Sequence, residues 1–206
     1  MNRVFVVAVE KNVAPEEYSR YIPPMKARRM GKLLKRALAT ALKAMESSGI
    51  SHPDAILNGT AMGCMEHTLQ LLHGLAEEGD NVNMPTAFML STHNTVASQI
   101  AIFTKNHGYN TTYAHREISF ELALHDAFLQ LRSGRLQTAL VCANDELTEF
   151  QRQHPGFFGK MPVEDRSEAW MLSVDPGDHP VYELENVQII HHKGADDSAA
   201  VNKITL

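Results

Sequence analysis

Cysteine is scarce in this chain of 206 residues: only Cys64 and Cys142 occur. Two thiols cannot build a disulfide framework or a four-thiolate zinc site, and free thiols suit a reducing cytoplasm. No apolar run approaches the roughly 20 residues a membrane-spanning helix needs. The run nearest the N-terminus, Val4 to Val9, is far too short, and no small-residue cleavage site follows it. No Gly-x-Gly-x-x-Gly and no Walker loop is found, so neither usual phosphate cradle is present. Positive charge is not in excess either. Lys and Arg number 19 against 24 Asp and Glu, a net charge of −5, which argues against nucleic-acid binding by bulk charge. Repeats and low-complexity tracts are absent, and with 44% hydrophobic residues the chain can bury a sizeable core. The length itself fits one domain, with an expected body over 1–193 and a polar, frayed tail over 194–206.

What is present alternates strands with helices. Val4–Val9 is an unbroken β-branched run, the pattern of a strand buried on both faces. Met30–Ser48 carries Leu33, Leu34, Ala37, Leu38, Ala41, Leu42 and Met45 at helical spacing, ended by Gly49. Ala55–Asn58 reads as a strand turning through Gly59–Gly63 into a helix over Cys64–Glu78. Asn81–Met89 reads as a loop, Thr92–Asn106 as a helix, Asn110–His115 as a short β-prone segment and Glu117–Arg132 as a helix. Leu136–Ala143 is a second apolar strand, followed by an irregular loop over Glu149–Pro162. Ala169–Val174 and Val181–Ile190 look like a closing hairpin across Asp175–Asp178. The expected class is α/β, layered α-β-α around a mixed, mostly parallel sheet of about five strands.

Each candidate for chemistry has a plain structural reading beside it. Glu117, at a helix start, gains from the helix dipole, as any first-turn acid does. Glu121 and His125 continue it at i+4 and i+8 as a polar stripe on an otherwise apolar helix. Two ligands are too few for a metal, so a solvated or partner-facing seam is the simpler reading. Cys64 opens a predicted helix, where a thiolate is stabilised, but no His or Asp partner can be named from spacing. Cys142 lies inside an apolar strand and reads as a small core residue. His191 and His192 read as exposed histidines. The stretch Pro24–Met30 gathers Lys26, Arg28 and Arg29 ahead of a helix, either as a solvated entry or as a contact for an acidic partner.

Several segments, taken in order, resemble the N-terminal half of β-ketoacyl-ACP synthases in the thiolase superfamily. Arg20–Met30 resembles the lead into the first long helix, Gly59–Gly63 the glycine-rich turn, and Pro85–Ile102 the proline loop and its helix. Asn110–Ala127 resembles the strand and nucleophile helix, Val141–Glu146 the next core strand, and Asp165-Arg166 the Asp-Arg pair before the last strands. The resemblance implies a thiolase-like half-fold. It also places the nucleophile at Glu117, where the family's Ala-Cys pair reads Arg116-Glu117. A carboxylate there cannot form the acyl thioester. The catalytic histidines of the family lie in a C-terminal half that this chain does not reach. The glycine-rich run after Asp-Arg is replaced by Ser167–Leu172.

The expectation that follows is a half-length ketosynthase-like protein without condensing activity, serving as a chain-length-factor-like partner. Its expected pairing edge is Asn110, Thr111, Thr112, Tyr113, Ala114 and His115. Its expected partners are a second copy (a homodimer) or a full-length ketosynthase (a heterodimer), with an acyl carrier protein as a further candidate. No cofactor, nucleic acid or membrane span is expected. The rival is an active acyltransferase subunit, completed by a partner chain or using Cys64. In a half without its other half, Glu117, Glu121 and His125 would give the nucleophile helix a hydrophilic side.

Overall fold

The computed structural model describes residues 1–28, 30–79, 83–157 and 164–205. Its elements run β1 (Val4–Lys11), α1 (Tyr18–Tyr21), α2 (Pro24–Ala27), α3 (Lys32–Ser48), β2 (Ala55–Gly59), α4 (Met65–Glu78), α5 (Pro85–Leu90), α6 (Thr95–Thr104), β3 (Tyr109–Tyr113), α7 (Ser119–Arg132), β4 (Thr138–Asp145), α8 (Glu149–Gln153), β5 (Arg166–Ser173), β6 (Tyr182–Ile190) and β7 (Ser198–Thr205). Of the basic residues ahead of α3, Arg29 lies outside the described residues. So do the start of the expected 81–89 loop and the end of the 149–162 loop. The part of the first that is described holds α5, opened by Pro85 at its first position, where a missing N–H costs nothing.

The sheet is mixed, with the order β3-β2-β4-β5-β1-β6-β7. Its seven strands exceed the expected five. The β2–β3 and β2–β4 pairings are parallel, and β4–β5, β5–β1, β1–β6 and β6–β7 are antiparallel, so the parallel part is the smaller. Two of the sequence expectations fail for a physical reason. The hairpin expected between β5 and β6 does not form, because β1 lies between them. An uninterrupted apolar strand loses its apolar groups on either face only at the centre of a sheet; Val4 and Val6 join one core and Ala8 the other. The tail expected to fray is instead β7, paired with β6 from Ser198 to Thr205. Its polar composition hides two anchors. Val201 packs on the core, and the Lys203 ammonium lies 4.3 Å from the Trp170 ring centroid and 4.5 Å from that of Tyr182. Such cation–π contacts hold a charged residue on an aromatic surface.

Helices cover both faces. One core joins α3 and α6 to the sheet through Leu33, Leu38, Val96, Ile100, Ile56 and Leu140. The other joins α7 to the sheet through Phe120, Leu124, Phe128, Leu57, Val141 and Leu172. The amphipathic spacing read in α3 is therefore the spacing of its buried side. α7 touches β2, β4 and β6, and Phe120 meets Trp170 edge-on with centroids 5.1 Å apart. Helix and sheet come very close at Gly59, the last residue of β2. A Cβ built there would stand 2.5 Å from the Phe120 and Ser119 backbone. Glycine lets strand and helix approach this closely. Gly59→Ala should lower stability by about 1–3 kcal/mol, the range for overpacking a well-packed site; urea denaturation midpoints measure it.

Candidate functional site

The chain leaves β3 at Tyr113 and passes through Ala114 and His115 into a single 3-10 turn, Arg116–Ile118, before α7 begins at Ser119. Arg116 has φ 51°, a left-handed conformation uncommon for a residue with a side chain. The turn is tied by Ser119, whose hydroxyl accepts from the His115 N–H at 2.8 Å and donates to the Arg116 carbonyl at 2.7 Å. Glu117 therefore precedes the α-helix instead of starting it. It is exposed on a cleft of about 690 Å3 that also takes in His93, His115, His191 and the loop Ala195–Asp197.

That loop joins β6 to β7 and reaches back to the turn. The Asp197 carboxylate meets His191 Nδ1 at 2.6 Å and His115 Nε2 at 3.3 Å. Arg116 Nη1 donates to Asp196 at 2.8 Å. The bond from His191, before that from His115, holds the Asp197 carboxyl below the usual range. Sequence spacing did not bring His191 to Glu117. More than seventy residues separate them, and only the β6–β7 connection closes the gap.

The polar stripe is only partly as expected. Glu117 faces the cleft, but His125 and Glu121 do not open to water as a seam. β6 lies along α7, and His125 Nδ1 donates to the Val187 carbonyl at 2.7 Å, so Nδ1 carries the proton. Both Glu121 and His125 are half-buried, and the Oε2 atom of Glu121 is buried with no partner among the described residues. The β6–β7 pair covers a flank that the sequence reading left open. Along this contact α7 and β6 leave an apolar groove of about 850 Å3, lined by His125, Phe128, Leu129 and Arg132.

The Gly59–Gly63 turn has its own anion. Asp145 Oδ1, at the end of β4, accepts from Thr60 Oγ1 at 2.9 Å, the Ala61 N–H at 2.8 Å and the Met62 N–H at 3.2 Å. A carboxylate already fills the amides that a phosphate would need. Burial pushes the Asp145 carboxyl up, while those hydrogen bonds oppose the shift. Next to it the buried Glu146 accepts from the Glu66 N–H at 2.7 Å, serving the N-terminus of α4. Burial is the largest cause of its raised pKa. These two acids went unmarked in the sequence. Adjacent carboxylates at the end of an apolar strand were the available signal, since a strand end that stays buried must find them donors.

Cys64 occupies the cap position of the same helix, but the helix dipole does not activate it. It is buried, and burial, followed by the charge of Glu146, pushes its thiol up to about 12. Cys142 is buried in β4 and is likewise pushed up to about 12 by burial. Neither is a thiolate at neutral pH, and the environment of Cys64 is the reverse of that which makes a reactive cysteine. Iodoacetamide at pH 8 should leave Cys64 and Cys142 unmodified in the folded protein and label both in urea; peptide mass spectrometry reads this directly.

Behind the cleft, the Asp165 carboxylate receives Lys32 Nζ at 2.6 Å, Arg36 Nη1 at 3.1 Å and the Leu147 N–H at 3.2 Å. Burial works against its charge, but these three groups prevail and hold its pKa down to about 2. The buried Arg36 also donates to Ser167 and to the Asp145 carbonyl, so this cluster ties α3 to the ends of β4 and β5. The neighbour Arg166 stacks its guanidinium over Phe120 and pairs with Glu168. A carboxyl with a depressed folded pKa contributes stability that is complete above its unfolded value near 3.8 and is lost as pH falls toward 2. Asp165→Asn should cost about 1–3 kcal/mol at pH 7 and flatten the loss of stability between about pH 4 and 2, measured by denaturation across that range.

No group of three or more His, Cys, Asp or Glu side chains among the described residues is placed to hold a metal ion. His191 and His192 go to different partners, Asp197 and Ser198. No helix among the described residues is long and apolar enough to cross a membrane.

The mixed sheet flanked by α3 and α6 on one side and α7 on the other is a thiolase-like ketosynthase fold. The model of the β-ketoacyl synthase N-terminal domain matches residues 6–204, and the chain belongs to that family. Among solved structures it is similar to a ketosynthase, ApeO, in complex with its chain length factor, ApeC, from Xenorhabdus doucetiae, with 18% identity and TM-score 0.69 over 93% of this chain and 85% of that one. It is similar to a β-ketoacyl synthase from Burkholderia phymatum STM815 at 13% identity and TM-score 0.74, covering 92% of this chain and 64% of that one, under two thirds of its length. A type II PKS acyl-carrier protein in complex with its ketosynthase, AntDE:AntF, gives 12% identity and TM-score 0.76 over 92% and 69% of the two chains. Comparison with curated protein sequences gives no match.

Proposed function

We propose that this chain is the non-condensing member of a heterodimer with a full-length ketosynthase, acting as a chain-length-factor-like subunit in a fatty-acid- or polyketide-type pathway. The observation that carries the reading is Glu117. Registered on the family's pattern it stands at the nucleophile position, and it is exposed on the cleft at the turn into α7. A carboxylate there forms no thioester with an acyl chain, and its charge repels the carboxylate of a malonyl donor. Cys64 and Cys142 are both buried and supply no substitute.

The partner reading rests on β3. It is the terminal strand of the sheet, so the backbone groups on its outer side are free to pair with another chain. Tyr109 and Asn110 are exposed and Thr111, Thr112 and Tyr113 half-buried. Ala114 and His115 continue beyond the strand and border the cleft. Pairing at this edge would therefore set a partner's chain directly beside Glu117. The structural neighbours include a ketosynthase recorded with its chain length factor and another with its acyl-carrier protein, which favours a ketosynthase over a second copy.

Co-expression with a full-length ketosynthase from the same genome is expected to give a co-purifying complex, with label from an acyl-carrier-protein-bound acyl group on the ketosynthase alone. A chain that stays monomeric beside that ketosynthase, or that pairs only with itself, would overturn the heterodimer. Acylation of any residue of this chain would overturn the non-condensing role.

A further inference from the structure

The parallel strands β2, β3 and β4 end in polar residues directed into the core under α3 and α6. Asn58 on β2 and Asn144 on β4 are 0% and 1% exposed. Asn58 stands two residues after Ile56, and Asn144 two and four after Cys142 and Leu140, which belong to that core, so the period of two puts both amides on the same face. Thr112 of β3 stands in register with Asn58, two residues after Asn110, whose amide donates to the Ala97 carbonyl of α6. Three neighbouring strands thus direct a hydroxyl and two amides toward the layer of α6.

The amides satisfy each other only once. Asn144 Nδ2 donates to Asn58 Oδ1 at 2.8 Å. Asn58 Nδ2, Asn144 Oδ1 and Thr112 Oγ1 are buried with no partner among the described residues. Turning over both amides reverses the pair and leaves the same remainder, one donor and one acceptor. Turning over one sets donor against donor or acceptor against acceptor. Whatever meets this remainder must give one hydrogen bond and take another. A cation serves only the acceptor and an anion only the donor.

We propose that a single internal water molecule is bound here, donating to Asn144 Oδ1 and accepting from Asn58 Nδ2, with the rotatable Thr112 hydroxyl as a third partner. Buried waters commonly make about three such bonds to otherwise unsatisfied groups. Its place gives it a positioning role. The same strand ends carry Thr60, Tyr113 and Asp145, so the water would fasten together the three strands that present the glycine-rich turn and the turn at Glu117. The inference is independent of the proposed partnership and goes beyond it.

A high-resolution crystal structure of the full chain tests it. A solvent peak is expected about 2.7–3.2 Å from both Asn58 Nδ2 and Asn144 Oδ1. A dry reciprocal pair of amides with no peak would overturn the proposal. Water-oxygen magnetic relaxation dispersion in solution should count one fewer long-lived water in Asn58→Leu/Asn144→Leu than in the parent chain. Asn144→Leu alone, which strands Asn58, should melt below that double variant. An unchanged water count in the double variant would also sink the idea. Where that variant fails to fold, the density in the parent chain decides.

Discussion

Strand β2 meets helix α7 backbone to backbone, and the rest of the architecture is arranged around that approach. Gly59 has no side chain to hold the helix away. Phe120 can then settle against Trp170 at 5.1 Å, and Ala123 and Ala127 follow it into the sheet with no exposed surface. Small residues along the helix and a glycine at the strand end solve one problem: a helix laid flat on a sheet must bring its axis close enough for its larger side chains to interdigitate with the strands. Once α7 is fixed, so is the turn before it. Its capping Ser119 is part of the same contact, and Glu117 is carried to the mouth of the cleft.

Carboxylates then finish the ends of the strands. Asp145, Glu146 and Asp165 each meet donors of a different kind: the amides of a turn, the first turn of α4, and two cations with one amide. Their pKa values divide accordingly. Amides and the Thr60 hydroxyl do not offset burial at Asp145, nor does the Glu66 amide at Glu146, whereas Lys32 and Arg36 do so at Asp165. An acid answered by dipoles pays for its burial; an acid answered by charges does not. The glycine-rich turn is consequently a closed structural joint, and the cleft beside it keeps Glu117 as an acid exposed to solvent.

Much of this was legible in sequence, and the parts that were not share a cause. Val4–Val9 declared a central strand and Leu33–Met45 a buried helix face, because one core imposes one period on each. Order across the sheet was not legible. Local pattern says that β5 and β6 are strands near a turn, while the insertion of β1 between them is decided by which strand must be hidden on both faces. β7 was misread because Lys203 counts as polar in any composition, although its ammonium rests on two aromatic rings. The stripe was misread for a related reason. Helical spacing put Glu117, Glu121 and His125 on one side, but cannot know that a strand will lie along that side and take the His125 proton into a backbone hydrogen bond.

The site shows the same division. The proposal for Glu117 needs only residue identity and the family register, since no backbone arrangement turns a carboxylate into a thiolate. For Cys64 identity was misleading, because a thiol at a helix start is reactive or inert according to what else occupies that end. Here Glu146 takes the first free N–H of α4 and leaves its charge beside the sulfur. The helix end that would have lowered the thiol's pKa has been spent on a carboxylate, and that carboxylate then raises it further. Inertness at Cys64 thus comes from burial first and from the way the helix is capped second, the reverse of the exposed, cation-flanked helix start that activates a thiol.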